Sequence, residues 1–181
     1  RIAIIGENGI GKTTFLKCLV EDEFINEGKV KWSENALVGY FPQNPSNEFK
    51  SNISLLDWMN QWSHEEDDLE TVRGTLGRLL FSQNDIGKPI SVLSGGEQRR
   101  MLFGKIILQR ANVIILDEPT NHLDMESIES LNHALNLFEG TSIFVSHDRE
   151  FISSLATRVI EIKNDKIIDY DDNYNNYISK K

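Results

Sequence analysis

Gly6-Glu7-Asn8-Gly9-Ile10-Gly11-Lys12-Thr13 follows the apolar run Ile2 to Ile5 and precedes Phe15, Leu16 and Leu19 at helical spacing. The eight residues fit G-x-x-x-x-G-K-[ST] in full, between a strand and a helix, which is the context that pattern needs. A short continuous apolar run reads as a buried parallel strand. Glycines let the backbone turn tightly and point N–H groups inward at phosphate oxygens. The helix start that follows adds positive dipole. Lys12 supplies a point charge to the β- and γ-phosphates, and the Thr13 hydroxyl is placed to ligate Mg2+. The bland alternative is a glycine-rich turn ahead of a helix.

Outward from this loop, strands and helices alternate. Val113 to Leu116 and Ser142 to Val145 are further apolar strands, with helices marked by Ile128, Leu131, Leu135 and Phe138 and by residues 149–156. Gly28 to Trp32, Leu37 to Tyr40, Arg158 to Ile162 and Lys166 to Asp169 are shorter strand candidates. Leu69, Val72, Leu76 and Leu79 predict an amphipathic helix, and another helix follows Gly87–Val92 to about Gln109. The alternation predicts an α/β fold, a mostly parallel sheet with helices on both faces and ligand-binding loops at the carboxyl ends of its strands. The stretch 46–92 is helical and poor in strands, which predicts a helical lobe inserted into that core. Trp58 and Trp62, four apart, are expected to pack one helix of the lobe.

Composition sets limits on the function. The chain has 181 residues, 19 Lys+Arg against 28 Asp+Glu, and a net charge of -9. That balance argues against a chain-wide nucleic-acid footprint, while leaving room for a local basic face. Val113 to Leu116 is an aliphatic run that no other exceeds in length, far short of the roughly 20 residues that span a bilayer. One cysteine, Cys18, excludes an internal disulfide, fits a reducing compartment and reads as core. The chain opens on Arg1 directly ahead of a strand, so it is expected to be a fragment of a longer protein, one domain over 1–181.

Two further groups carry chemistry. Asp117 and Glu118 end the strand Val113–Leu116 beside the phosphate loop. There Asp117 can hold Mg2+ through water and Glu118 can polarise an attacking water. Their structural alternative is an acidic cap for the next helix. Ser94-Gly95-Gly96-Glu97 reads as a capping box opening the helix to Gln109, and also as a second anion site at a helix N-terminus. The two readings are compatible.

Leu93-Ser94-Gly95-Gly96-Glu97-Gln98, after a phosphate loop and ahead of a strand-Asp-Glu, resembles the signature motif of ABC-type ATPase domains. The resemblance extends in family order to Gln43 as the Q-loop glutamine, Thr120-Asn121-His122-Leu123-Asp124 as the D-loop and His147 as the switch histidine. It therefore covers nearly the whole chain and implies the P-loop NTPase fold and Mg-dependent ATP hydrolysis. By that resemblance Glu118, His147 and Gln43 are catalytic. Gly6, Glu7, Asn8, Gly9, Ile10, Gly11, Lys12, Thr13, Thr14, Ser94, Gly95, Gly96 and Glu97 bind nucleotide, and Thr13, Gln43 and Asp117 surround Mg2+. His122 reads as a structural D-loop residue, and His64 and His133 as surface residues.

Glu118-Pro119-Thr120-Asn121-His122-Leu123-Asp124 and Ser146-His147-Asp148-Arg149-Glu150-Phe151 resemble the ABC-F proteins, soluble twin ATPases, many of which act on ribosomes. The intact signature and the ending Asp172-Asn173-Tyr174-Asn175-Asn176-Tyr177 resemble their second domain. The resemblance implies a cytoplasmic protein, composite ATP sites shared with a second ABC domain, a ribosomal partner and no membrane insertion. The fragment by itself is expected to be mainly monomeric, without the upstream aromatic that stacks on adenine. The alternatives are the ATPase subunit of a membrane ABC transporter and a non-hydrolysing module that clamps a large partner.

Overall fold

Apolar runs too short to be helices, and covered on both faces, become neighbouring strands. The computed structural model describes residues 1–20, 25–121, 123–164 and 166–180. Its elements are β1 (Ile2–Gly6), α1 (Lys12–Leu19), β2 (Val38–Phe41), α2 (Leu55–Asn60), α3 (Leu69–Arg78), α4 (Gly95–Leu108), β3 (Val113–Asp117), α5 (Met125–Leu137), β4 (Thr141–Val145), α6 (Arg149–Leu155), β5 (Arg158–Lys163), β6 (Lys166–Tyr170) and α7 (Tyr174–Ser179). They form two compact units, 1–43 with 112–181, and Asn44–Ala111.

The first unit holds a sheet in the order β2-β3-β4-β1-β5-β6. All pairs are parallel except β5 with β6. Side chains of a strand alternate between faces, and β4 shows the consequence. Ile143 and Val145 join Ile4, Val113, Ile115 and Leu16 of α1 in one core cluster. Phe144, between them, meets Phe151 of α6 edge-on at 5.6 Å. Helices therefore cover the sheet from both sides. Leu16 is fully buried, and replacing it with Ala should cost about 2–5 kcal/mol. At the sheet's amino end the Arg1 guanidinium donates to the carbonyls of Leu135, Asn136 and Phe138 at 2.9, 2.6 and 3.0 Å. It satisfies the carbonyls that α5 leaves open, where a cation also meets the helix dipole favourably.

The register of the strands positions the site. Ile4 and Asp117 both stand opposite Val145, so the carboxyl ends of β1, β3 and β4 lie side by side. Gly28 to Trp32 forms no strand, and among the described residues no strand pairs with it. Trp32 instead packs on the core cluster, its indole N–H donating to the carbonyl of Leu19 at 2.9 Å.

In the second unit, side-chain caps start each helix. Ser54, Asp68 and Ser94 accept the N–H of Asp57, Thr71 and Glu97 respectively. Leu55, Met59, Val72, Leu76, Met101 and Leu102 make its core. A Cβ on Gly104 would stand 2.5 Å from Met59 Cε and 2.6 Å from Leu79 Cδ1, so glycine is what lets α4 approach so closely. This packing is why the unit runs on through α4 rather than stopping near residue 92. Trp58 and Trp62 meet edge-on at 5.8 Å, although α2 ends at Asn60 and Trp62 follows its cap. Lys105 lies 4.1 Å from the centre of the Trp62 ring and 2.6 Å from Glu48.

Candidate functional site

The loop after β1 takes its shape from glycine. Gly9 and Gly11 adopt φ of +78° and +103°, a region that side chains with a Cβ rarely enter. Gly11 is the residue ahead of α1, which begins at Lys12. The Lys12 ammonium turns back into the loop and donates to the carbonyls of Gly6 and Glu7 at 3.0 and 2.9 Å. Lys12 is 8% exposed, so its charge is held close to where an anion would sit.

Asp117 closes β3. The Thr13 hydroxyl donates to Asp117 Oδ1 at 3.2 Å. Asp117 is fully buried, and its Oδ2 has no hydrogen-bond partner. Burial pushes this carboxyl up, against the smaller pull of Thr13, Lys17 and Lys12. A buried carboxylate oxygen without a donor is costly, and a hydroxyl beside it makes a hard-oxygen set of the kind Mg2+ favours.

Glu118 sits in the left-handed region at φ +50°, a conformation that costs a non-glycine residue about 1–3 kcal/mol and persists only where neighbours enforce it. Those neighbours are visible. Its N–H donates to the Val145 carbonyl at 2.9 Å, and its Oε2 accepts the His147 N–H at 3.2 Å. His147 Nε2 lies 3.1 Å from Oε1. Burial pushes the Glu118 carboxyl up, and the adjacent His147 opposes that shift.

Asn8, Gly9, Gly11, Lys12, Thr13, Thr14, Gln43, Glu118, Val145 and His147 line one cavity of about 430 Å³. Gln43 reaches it from the segment just after β2. Gly6 and Glu7 supply the carbonyls that hold Lys12. Ser94, Gly95, Gly96 and Glu97 belong to the other unit. There the Ser94 N–H donates to Glu97 Oε2 at 2.8 Å and Ser94 Oγ accepts the Glu97 N–H at 3.4 Å, a complete capping box. His122 lies outside the described residues.

Sequence reasoning passed over two buried hydroxyls beside the site. Thr120 Oγ1 and Ser146 Oγ share a hydrogen bond of 3.0 Å. The available signal was their position, one just after Glu118 and the other just before His147, where a polar side chain facing inward needs a partner.

The ABC transporter family profile matches residues 1–121. The chain is 58% identical over 181 residues to the Probable ATP-binding protein YbiT of Escherichia coli O157:H7, covering 100% of this chain and 34% of that protein. It is 39% identical to ABC transporter F family member 5 of Arabidopsis thaliana, covering 99% of this chain and 26% of that one. Among solved structures it is similar to the complex of archaeal ribosomal stalk protein aP1 and archaeal ribosome recycling factor aABCE1, with TM-score 0.73, 25% identity, 99% of this chain and 36% of that chain covered. The chain thus spans about a third or less of the curated relatives it matches. Among the described residues no helix is long and apolar enough to cross a membrane. The family profile covers well over half of a chain whose phosphate loop and Glu118 share one cavity, and the chain belongs to the ABC transporter family, as one of its ATPase domains.

Proposed function

We propose that this chain is the second ATPase domain of an ABC-F protein, which binds Mg-ATP in the cavity described above and hydrolyses it against the signature motif of a partner ABC domain. The observation that carries the reading is the convergence of Lys12, Thr13, Gln43, Glu118 and His147 on one cavity. Phosphoryl transfer depends mainly on positioning and on charge, and this set supplies both.

Thr13, Asp117 and Gln43 would hold Mg2+; the unpartnered Oδ2 of Asp117 beside the Thr13 hydroxyl supports that assignment. When bound, Mg2+ offsets phosphate charge. Lys12 exchanges the carbonyls of Gly6 and Glu7 for phosphate oxygens. Glu118 orients the attacking water, and His147 and Gln43 respond to the terminal phosphate. Ser94, Gly95 and Gly96 serve the nucleotide of the partner domain, with Glu97 keeping the Ser94 cap in shape. The whole protein would work in the cytoplasm, on the ribosome. The F-family relative and the ribosome recycling factor among the structural neighbours support that choice over a membrane transporter subunit.

The test is co-sedimentation of the full-length protein, carrying Glu118→Gln, with ribosomes. ATP-dependent accumulation on ribosomes is expected, because closure follows ATP and reopening follows hydrolysis. Equal sedimentation with and without ATP would contradict the ribosomal role.

A further inference from the structure

Behind the Glu118–His147 pair lies a contact that the proposed function does not use. Thr120 and Ser146 are 8% and 5% exposed and share the 3.0 Å hydrogen bond. Ser146 Oγ also accepts the N–H of Asp148 at 3.1 Å. Asp148 in turn accepts the N–H groups of Glu150 and Phe151 at 2.9 and 3.0 Å and so starts α6. One hydroxyl therefore grips the backbone on the far side of His147 and reaches across to the segment that carries Glu118.

Three hydrogen bonds join these two segments beyond the strands: Glu118 N–H to the Val145 carbonyl, the His147 N–H to Glu118 Oε2, and the hydroxyl pair. The second moves with the carboxylate when it turns to a water molecule. The hydroxyl pair does not depend on the Glu118 side chain, so it survives that turn. The His147 side chain is 57% exposed and little restrained by packing, so its ring reaches only as accurately as its backbone is held.

We infer that Thr120 and Ser146 are positioning residues for ATP hydrolysis, whose shared hydrogen bond keeps the Glu118 segment in register with the His147 segment. The inference rests on the proposed roles of Glu118 and His147. A pair that merely satisfies two buried hydroxyls would affect stability and leave the ring of His147 where it is.

The test uses the full-length protein. Thr120→Val keeps the shape and removes the hydroxyl. Its kcat should fall by about 10- to 100-fold, the scale of a small misplacement, with KM for ATP held within about twofold. Thr120→Ser should stay within about threefold of wild type, and Thr120→Val combined with Ser146→Ala should be no slower than the slower single variant. Without nucleotide, the His147 imidazole resonances should shift in Thr120→Val and Ser146→Ala and stay in place in Thr120→Ser. Unmoved resonances, an unchanged kcat in Thr120→Val, or equal losses in the Val and Ser variants would overturn the inference. If Thr120→Val does not fold, Ser146→Ala against Ser146→Thr makes the same comparison. Glu118→Gln is measured alongside. Wild-type turnover there removes the proposed function, whereas the resonances report on the hydroxyl pair independently.

Discussion

Glu118 and His147 meet at two points: the backbone N–H of His147 donates to Glu118 Oε2 at 3.2 Å, and its imidazole Nε2 lies 3.1 Å from Oε1, which accepts no hydrogen bond. Both carboxylate oxygens face the same residue, across two connections that leave neighbouring strands. Glu118 Oε1 is shielded from solvent and has no hydrogen-bond donor, so swinging the imidazole aside opens it to a water. The imidazole is the mobile partner, since the His147 side chain is 57% exposed and that of Glu118 is 4% exposed. The same swing would carry the ring toward the phosphate loop that lines the cavity with it.

Lys12→Ala should weaken ATP binding by roughly 2–5 kcal/mol, the usual loss on removing a buried charged contact. The fold should change little, but the loop carbonyls of Gly6 and Glu7 lose their donor. Stability without nucleotide should therefore drop by about 1 kcal/mol. Titration calorimetry and a thermal melt check both. An ATP affinity within about twofold of wild type would contradict the phosphate-loop assignment.

Stability without nucleotide should pass through a maximum as pH changes. Burial raises the Asp117 and Glu118 carboxyls. A raised carboxyl binds its proton more tightly in the folded state, so stability falls as pH rises through the folded value. Asp172 behaves oppositely: its hydrogen bonds to Lys180 and Asn176 hold it down to about 2. Its contribution is present above the ordinary Asp value and is lost as pH falls toward 2. Asp124 and Asp68, held low by the helix N–H and hydroxyl groups they cap, add to the acid side. Melting temperatures across pH should show both arms, and Asp117→Asn should flatten the upper one.

The phosphate loop, the apolar strands and the order of motifs were legible because each is local. A run of aliphatic residues, a glycine that must turn and a lysine one step later are all neighbours in sequence. The capping box of Ser94 and Glu97 was legible for the same reason. Gly28 to Trp32 misled because a strand exists only through its partner, and Trp32 is held by Leu19 instead. Helix α7, which starts inside Asp172–Tyr177 and runs on to Ser179, stayed hidden, since asparagines are weak helix formers; Asn173 caps it, and Tyr177 buries against Tyr170. The left-handed backbone of Glu118 and the Thr120–Ser146 bond are tertiary, imposed by a strand far away in sequence.

The chain by itself should bind Mg-ATP weakly and hydrolyse it far more slowly per site than the full-length protein. It carries one phosphate loop and one signature motif, and the proposed composite site takes these from two domains. A net charge of -9 opposes self-association at low salt. Phosphate release and sedimentation on both proteins check this, and equal rates per site would remove the two-domain requirement.

The most direct measurement of the central claim is single-turnover phosphate release by the full-length protein with Glu118→Gln beside wild type. The variant keeps an oxygen to accept the His147 N–H and loses the carboxylate. It should bind ATP about as tightly as wild type and release phosphate at least about 100-fold more slowly, the scale expected on removing a general base. Phosphate release at the wild-type rate would take Glu118, and with it the proposed hydrolytic site, out of the mechanism.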